Sequence, residues 1–265
     1  MSTDYKGITV RHLLDTAFSL FLLFFITFTH SKTLQFYTEH VPPSQIVGAD
    51  GKVIAGSSHV VILELVKRMQ MDAVYTPLPW ARAYKIALNE KDSLIYSIAR
   101  SPLRESKFQW IGKLQELNYH FYGLNNEASD GLVLAPNNIR NLSVVVVRGS
   151  IEAELLLQLG FEPEKNMYYA DGYVNAFKMA LIGRVDAVYA NQFLTNGITK
   201  MLSVSKNTLT PIYSLNQSVE LYLAANKDFS PTIINKLKKE FHKMEQEGLV
   251  EKLLNKELER IFSVR

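Results

Sequence analysis

Arg104 is the side chain whose type and setting point most directly to a chemistry. In SIARSPLRESKFQWIG (97–112) it follows a strand-like run and a Ser-Pro turn. A planar guanidinium just past a strand end can hold a carboxylate through two parallel hydrogen bonds. Arg100 competes for that role, and a solvated turn arginine is the plain alternative for both. Trp80 opens WARAYKIALN (80–89), where Ala83, Ile86 and Ala87 share one helical face, so its ring belongs either to the core or to the wall of a site. Covalent chemistry has less support. The chain has no GxSxG elbow, HExxH, Walker loop or GxGxxG, and no cysteine to act as nucleophile or thiolate ligand. Its six histidines are scattered, with none paired at metal-ligand spacing. Glu39 and His40 are the nearest candidates for an acid or base, with a histidine of no special role as the alternative for His40. The expectation is a protein that is not an enzyme and needs neither cofactor nor metal.

The elements that must position these residues alternate in kind. From Thr33 onward, short β-branched or aromatic runs alternate with amphipathic stretches, the signature of an α/β fold with mainly parallel strands. LQFYT (34–38), AVYTPL (73–78) and SLIYSIA (93–99) read as strands separated by helices at VVILELVKRM (60–69), capped by Ser57 or Ser58, and at WARAYKIALN, which Pro79 starts. The alternation begins again at LSVVVV (142–147). A helix over SIEAELLLQLG ends at Gly160, MYYA is a strand, a helix over GYVNAFKMALIG ends at Gly183, and VDAVYA is a strand. Two such units predict two sheets. LQELNYHFYGL (114–124) and IYSLNQSVELYLAAN (212–226) look extended and connect them, and two strongly charged helices with Gly248 between them finish the chain.

The ends and the charge bound the compartment and the partners. Lys6 and Arg11 precede an apolar run over residues 16–28, and polar residues follow. That is the layout of a secretory signal peptide, and the run falls short of the roughly twenty residues a membrane span needs. An uncleaved anchor is the alternative, since no A-x-A site is present. The 29 basic and 26 acidic side chains are interspersed, which argues against nucleic acid as a partner.

Taken in order, the landmarks resemble the family 3 periplasmic solute-binding proteins of amino-acid ABC transporters. The likeness rests on strand, Ser/Thr, turn and Arg104 with Trp110 six residues on, and on TEHVPPSQIVGADGKVIAG (38–56), PLPWARAYKIAL (77–88), VVVVRGSIEAELL (144–156) and ALIGRVDAVYAN (180–191). It extends from about Leu34 to about Leu254. The resemblance implies a two-lobed periplasmic-binding-protein fold of type II, each lobe a mainly parallel sheet flanked by helices, with two crossover strands as hinge. Residues 1–31 are then the signal peptide, 32–118 and 214–265 the first lobe, and 119–213 the second. It also implies site roles. Arg104 takes a ligand carboxylate, Trp80 stacks on the ligand, Glu39 and His40 face it from a loop, and Ser97 and Ala99 lie on the strand whose backbone meets it. Arg148, Gly149 and Ser150 form a turn whose N–H groups and helix dipole hold an anion. Arg148 pairing with Glu152 at helical spacing is the alternative, as a structural turn or strand end is for Asp186.

Two residues depart from that pattern. Asn191 stands where amino-acid binders often carry an Asp for the α-ammonium, and Ala99 replaces a hydroxyl residue; Glu39 is the candidate to supply the missing charge. The function that follows is periplasmic capture of a small polar, carboxylate-bearing solute by cleft closure, by a monomer that serves the membrane permease of an ABC transporter. A dehydratase-like enzyme on the same scaffold and a sensory binding protein acting through a separate partner are the alternatives.

Overall fold

Burial alternates along LQFYT, as expected of a strand with a distinct neighbour layer on each face, and these residues form β1 (Leu34–Thr38). The computed structural model describes residues 33–125 and 136–263; the expected export leader over 1–31 lies outside the described residues. After β1 come β2 (Ile46–Val47), β3 (Val53–Ala55), α1 (Ser57–Met69), β4 (Ala73–Pro77), α2 (Trp80–Asn89) and β5 (Ser93–Ala99). β6 (Phe108–Leu124) leads to β7 (Val144–Val147), α3 (Ile151–Gln158), β8 (Met167–Ala170), α4 (Tyr173–Leu181), β9 (Ala187–Asn191) and α5 (Gln192–Met201). β10 (Leu209–Asn226), α6 (Pro231–Gln246) and α7 (Leu249–Ser263) complete the fold. Among the described residues no helix is long and apolar enough to cross a membrane.

Where two sheets were expected, one continuous sheet runs in the order β4-β1-β5-β10-β6-β9-β7-β8. The reason is the length of the two connecting segments, which become strands of 17 and 18 residues. β6 and β10 pair antiparallel along their length; near one end β10 also pairs with β5, and near the other β6 also pairs with β9. Each end therefore carries its own parallel set, β4-β1-β5 in the first half and β9-β7-β8 in the second. The β6/β10 ladder is irregular between Ser214 and Ser218, opposite Asn118 and His120.

Helices cover both faces of both halves, which is why the four valines of β7 are all buried. Val144 and Val146 pack with Leu155, Leu156 and Phe161 on one side, and Val145 and Val147 with Ala176, Phe177 and Ile198 on the other. In the first half, Phe36, Leu65, Leu237 and Phe241 belong to a core that joins β1 and α1 to α6, so the segment after β10 packs back on the first described strand. The helix-start expectation at Ser57 or Ser58 is corrected. Gly56 is the N-cap, with φ +138, and both serines lie buried inside α1. A Cβ at residue 56 would stand 2.2 Å from the Ser44 carbonyl oxygen, so the close approach of the β1–β2 loop requires glycine there.

Candidate functional site

The C-terminal ends of the parallel strands in both halves converge on one small enclosed cavity of about 40 Å³. Parallel strands in an α/β sheet all point their C-terminal ends to the same edge, where loops and helix N-termini collect. Glu39 arrives just after β1, Trp80 at the start of α2, Ser97 and Ala99 from β5, and Arg104 from the turn beyond it. The facing wall supplies Ser150 and Glu152 from the start of α3, Tyr173 from the start of α4 and Asn191 from the end of β9. β6 contributes Tyr119 between them.

Arg104 is 1% exposed and is held by the opposite wall. Its Nε and Nη2 lie 2.7 and 2.5 Å from Glu154 Oε1, and Nη2 donates to the Gly149 carbonyl at 3.2 Å. Ser101 donates to the other Glu154 oxygen at 3.0 Å. The guanidinium carbon sits 5.6 Å from the Trp80 ring centre and 5.1 Å from that of Tyr84, so two aromatic faces support the buried cation. Nη1 is buried without a hydrogen-bond partner. Trp80 Nε1 donates to the Gly149 carbonyl at 2.8 Å, making that one oxygen an acceptor for two first-half side chains.

The second wall holds its acids at helix starts. Ser150 is the N-cap of α3, its Oγ accepting from the Ala153 N–H at 3.3 Å, and Glu152 follows in the first turn. Glu152 is 1% exposed; Tyr173 Oη donates to its two oxygens at 3.1 and 3.2 Å, and Ser150 and the residue's own backbone N–H also reach the carboxylate. Burial raises its pKa, and those hydrogen bonds and the Arg104 charge oppose the rise. Glu39, on the first wall, is raised well above the ordinary carboxylate range by burial and then by the charge of Glu152, with Arg104 pulling the other way. Burial and the Glu152 charge raise the pKa of Tyr119, which lines the cavity beside Glu152 and Asn191.

The expected site residues divide into those the fold brings together and those it does not. Glu39, Trp80, Ser97, Ala99, Arg104, Ser150 and Asn191 all line the cavity. Asn191 has a second task as the N-cap of α5, where its Oδ1 accepts from Leu194 N at 2.9 Å. Ser97 has φ +58 and is the residue skipped in the pairing of β5 with β10, where Tyr96 and Ile98 oppose Leu223 and Tyr222. That bulge accompanies the Ser97 side chain's contact with Gln45. His40 lies outside the small cavity. Its Nδ1 accepts from Val47 N at 2.9 Å and it lines a neighbouring cavity of about 330 Å³. Burial lowers its pKa. Arg148 is exposed over the Tyr169 ring, 4.5 Å from its centre, and does not line the cavity. Gly149 takes part through its carbonyl as an acceptor. Asp186, read as structural, accepts from Ser143 N and Oγ at 2.7 and 2.6 Å.

Glu152, Glu154, Tyr119 and Tyr173 carry much of the site and were not singled out from the sequence. A signal existed in two acids two residues apart in the first turn after a strand, where the helix dipole favours negative charge. Contacts elsewhere also join the halves. Gly197 of α5 packs on the Pro42 backbone, where a Cβ would lie 2.6 Å from the carbonyl oxygen, and Lys200 donates to the Ile261 carbonyl at 2.7 Å. Among the described residues no group of three or more His, Asp or Glu side chains is arranged to hold a metal.

No protein-family model matches the sequence, and no curated protein is similar to it. Solved structures are. A histidine kinase sensor domain with similarity to periplasmic binding proteins aligns at TM-score 0.75 and 14% identity, over 86% of this chain and 96% of that one. An amino acid ABC transporter substrate-binding protein from Streptococcus pneumoniae, bound to L-arginine, aligns at TM-score 0.72 and 16% identity, over 86% and 95%. An ancestral amino acid-binding protein, a precursor of cyclohexadienyl dehydratase, aligns at TM-score 0.70 and 15% identity, over 85% and 95%. At such identities the likeness is one of architecture, and on that ground the chain has the periplasmic-binding-protein fold, the one used by amino-acid ABC transporter substrate-binding proteins.

Proposed function

We propose that the chain is an exported solute-binding protein that captures a small polar ligand between two lobes, residues 32–118 with 214–265 and residues 119–213, and presents the closed form to the membrane permease of an ABC transporter. The observation that carries this reading is the cavity lined by strand ends and helix starts of both halves. A ligand that touches both walls binds the closed arrangement better than an open one, and that difference is what shifts the equilibrium. The irregular stretch of the β6/β10 ladder is the segment suited to act as hinge. Arg104, Trp80, Glu39, Ser97, Ala99, Ser150 and Asn191 contact the ligand in this reading. Arg104 presents chiefly its unpartnered Nη1, because Glu154 holds the rest of the guanidinium. Residues 1–31 act as the export leader.

A thermal-shift screen of residues 32–265 against amino acids, carboxylates and amines tests the proposal. A binder raises stability by RT ln(1 + [L]/Kd). At least one solute should raise Tm and shrink the radius of gyration in small-angle scattering. A panel with no shift and no change of dimensions would sink the capture role. The likeness to a kinase sensor domain supports a second reading, a sensory binding protein acting through a separate partner. Copurification with a permease or with a sensor kinase separates the two. Product formation from a bound ligand would instead favour the enzyme alternative.

A further inference from the structure

We infer that the ligand of the enclosed cavity is a cation held through an ammonium group, and that a ligand carboxylate is not required. The inference rests on the capture role proposed above and narrows it to a class of ligand.

Both places that could receive a ligand carboxylate are already engaged by one from the protein, which leaves Arg104 only its Nη1 to offer a ligand acceptor. Arg104 is bound by Glu154 through Nε and Nη2. The first turn of α3, where N–H groups attract an anion, already carries the buried Glu152 carboxyl, which accepts from Tyr173 Oη. Glu39 then adds a second buried carboxyl to the same cavity from the facing wall, 8% exposed. Among the described residues lining this cavity Arg104 is the one cation, set against Glu39, Glu152 and its own partner Glu154. A buried carboxylate is costly unless it is paired, so the site is short of positive charge. Burial raises the carboxyl pKa of Glu39 and of Glu152, and for Glu39 the Glu152 charge adds to the rise. An ammonium group relieves the charge deficit; a zwitterion leaves it unchanged, and a dianion doubles it.

Size points the same way. About 40 Å³ accommodates a few water-sized spheres, enough for a compact ammonium head. Glu39 and Tyr173 also line the adjoining cavity of about 330 Å³, whose wall includes Pro77, Leu78, Pro79 and Val174. An alkyl chain leaving the head group would run along those apolar residues, and Asp171 on the same cavity could receive a second ammonium.

The test is a series on one skeleton by calorimetry: L-lysine, 1,5-diaminopentane (lysine without its carboxylate), L-norleucine (lysine without its side-chain ammonium) and glutarate. The expected result is that 1,5-diaminopentane binds at least as tightly as lysine, that norleucine is tenfold or more weaker, and that glutarate does not bind. Glu39→Gln and Glu152→Gln should each weaken 1,5-diaminopentane by tenfold or more without lowering Tm. If norleucine or glutarate binds and 1,5-diaminopentane does not, the cation assignment falls and the capture role stands. If none of the four binds, both fall.

Discussion

The two walls of the cavity are built by opposite means. The first wall presents donors held in unusual settings: a guanidinium 1% exposed against two aromatic rings, an indole N–H, and a serine at φ +58 in a bulged strand. The second wall is locally regular, with helix starts capped by Ser150 and Asn191 and acids in the first turn of α3. Donors thus face acceptors across the gap, at Trp80 and Arg104 against the Gly149 carbonyl and Arg104 against Glu154. The difference teaches that protein contacts alone join the two walls; in the capture role proposed above, a ligand would add to them.

That comparison can be broken most severely at Glu154. Glu154→Ala strips the buried Arg104 of its carboxylate. Removing one partner of a buried pair costs about 3–5 kcal/mol where the other stays buried. If the two halves open as proposed, the guanidinium rehydrates, so the expected outcome is a larger radius of gyration and a ligand affinity down by tenfold or more, with little loss of helix by circular dichroism. A compact, ligand-competent variant would show that the bridge does not govern closure.

Gly197→Ala would obstruct the proposed closure without touching any charge, since its Cβ would meet the Pro42 backbone at 2.6 Å. Overpacking of this kind costs about 1–3 kcal/mol. The effect should appear as a weaker ligand affinity and a more open form in scattering, while denaturant unfolding of the open protein keeps its m-value.

A smaller effect separates the acids from the bridge. Glu39 and Glu152 have pKa values raised by folding, so the folded protein binds more protons than the unfolded chain in the interval between ordinary and raised values. Stability contributed this way is greatest in acid and falls as pH rises through that interval. Arg104, Glu154, Tyr119 and Tyr173 are the other charged or titratable groups at these carboxyls. Glu39→Gln should therefore gain stability at neutral pH, about 1 kcal/mol or 2–4 °C in Tm, and the wild-type minus variant difference should vanish below about pH 4. A difference that does not vary with pH would contradict the assignment. The smallest change belongs to Arg148→Ala, which removes an exposed side chain lying on Tyr169 and should leave stability within about 0.5 kcal/mol and ligand affinity unchanged.

Much of the fold was legible because its signals are local. LQFYT, WARAYKIALN, SLIYSIA and MYYA are elements with the bounds their patterns predict, since alternation and helical spacing act over a few residues. The caps at Ser150 and Asn191 are local in kind, yet both residues were expected only at the ligand, and their capping roles come from the structure. Gly56 as the cap of α1 was not legible, because the reason for it is the Ser44 carbonyl twelve residues earlier on a folded-back loop.

The sequence by itself determined the kinds and order of elements, the repeat of the α/β pattern, and the placing of Arg104, Trp80 and Glu39 at strand ends where a site forms. Tertiary structure alone decided what those residues face. Arg104 and Glu154 are fifty positions apart, and Glu39 and Glu152 more than a hundred. No local period relates them. Coulomb energy depends on separation in space and on burial, and both are settled only when the strand ends of the two halves are brought to one cavity.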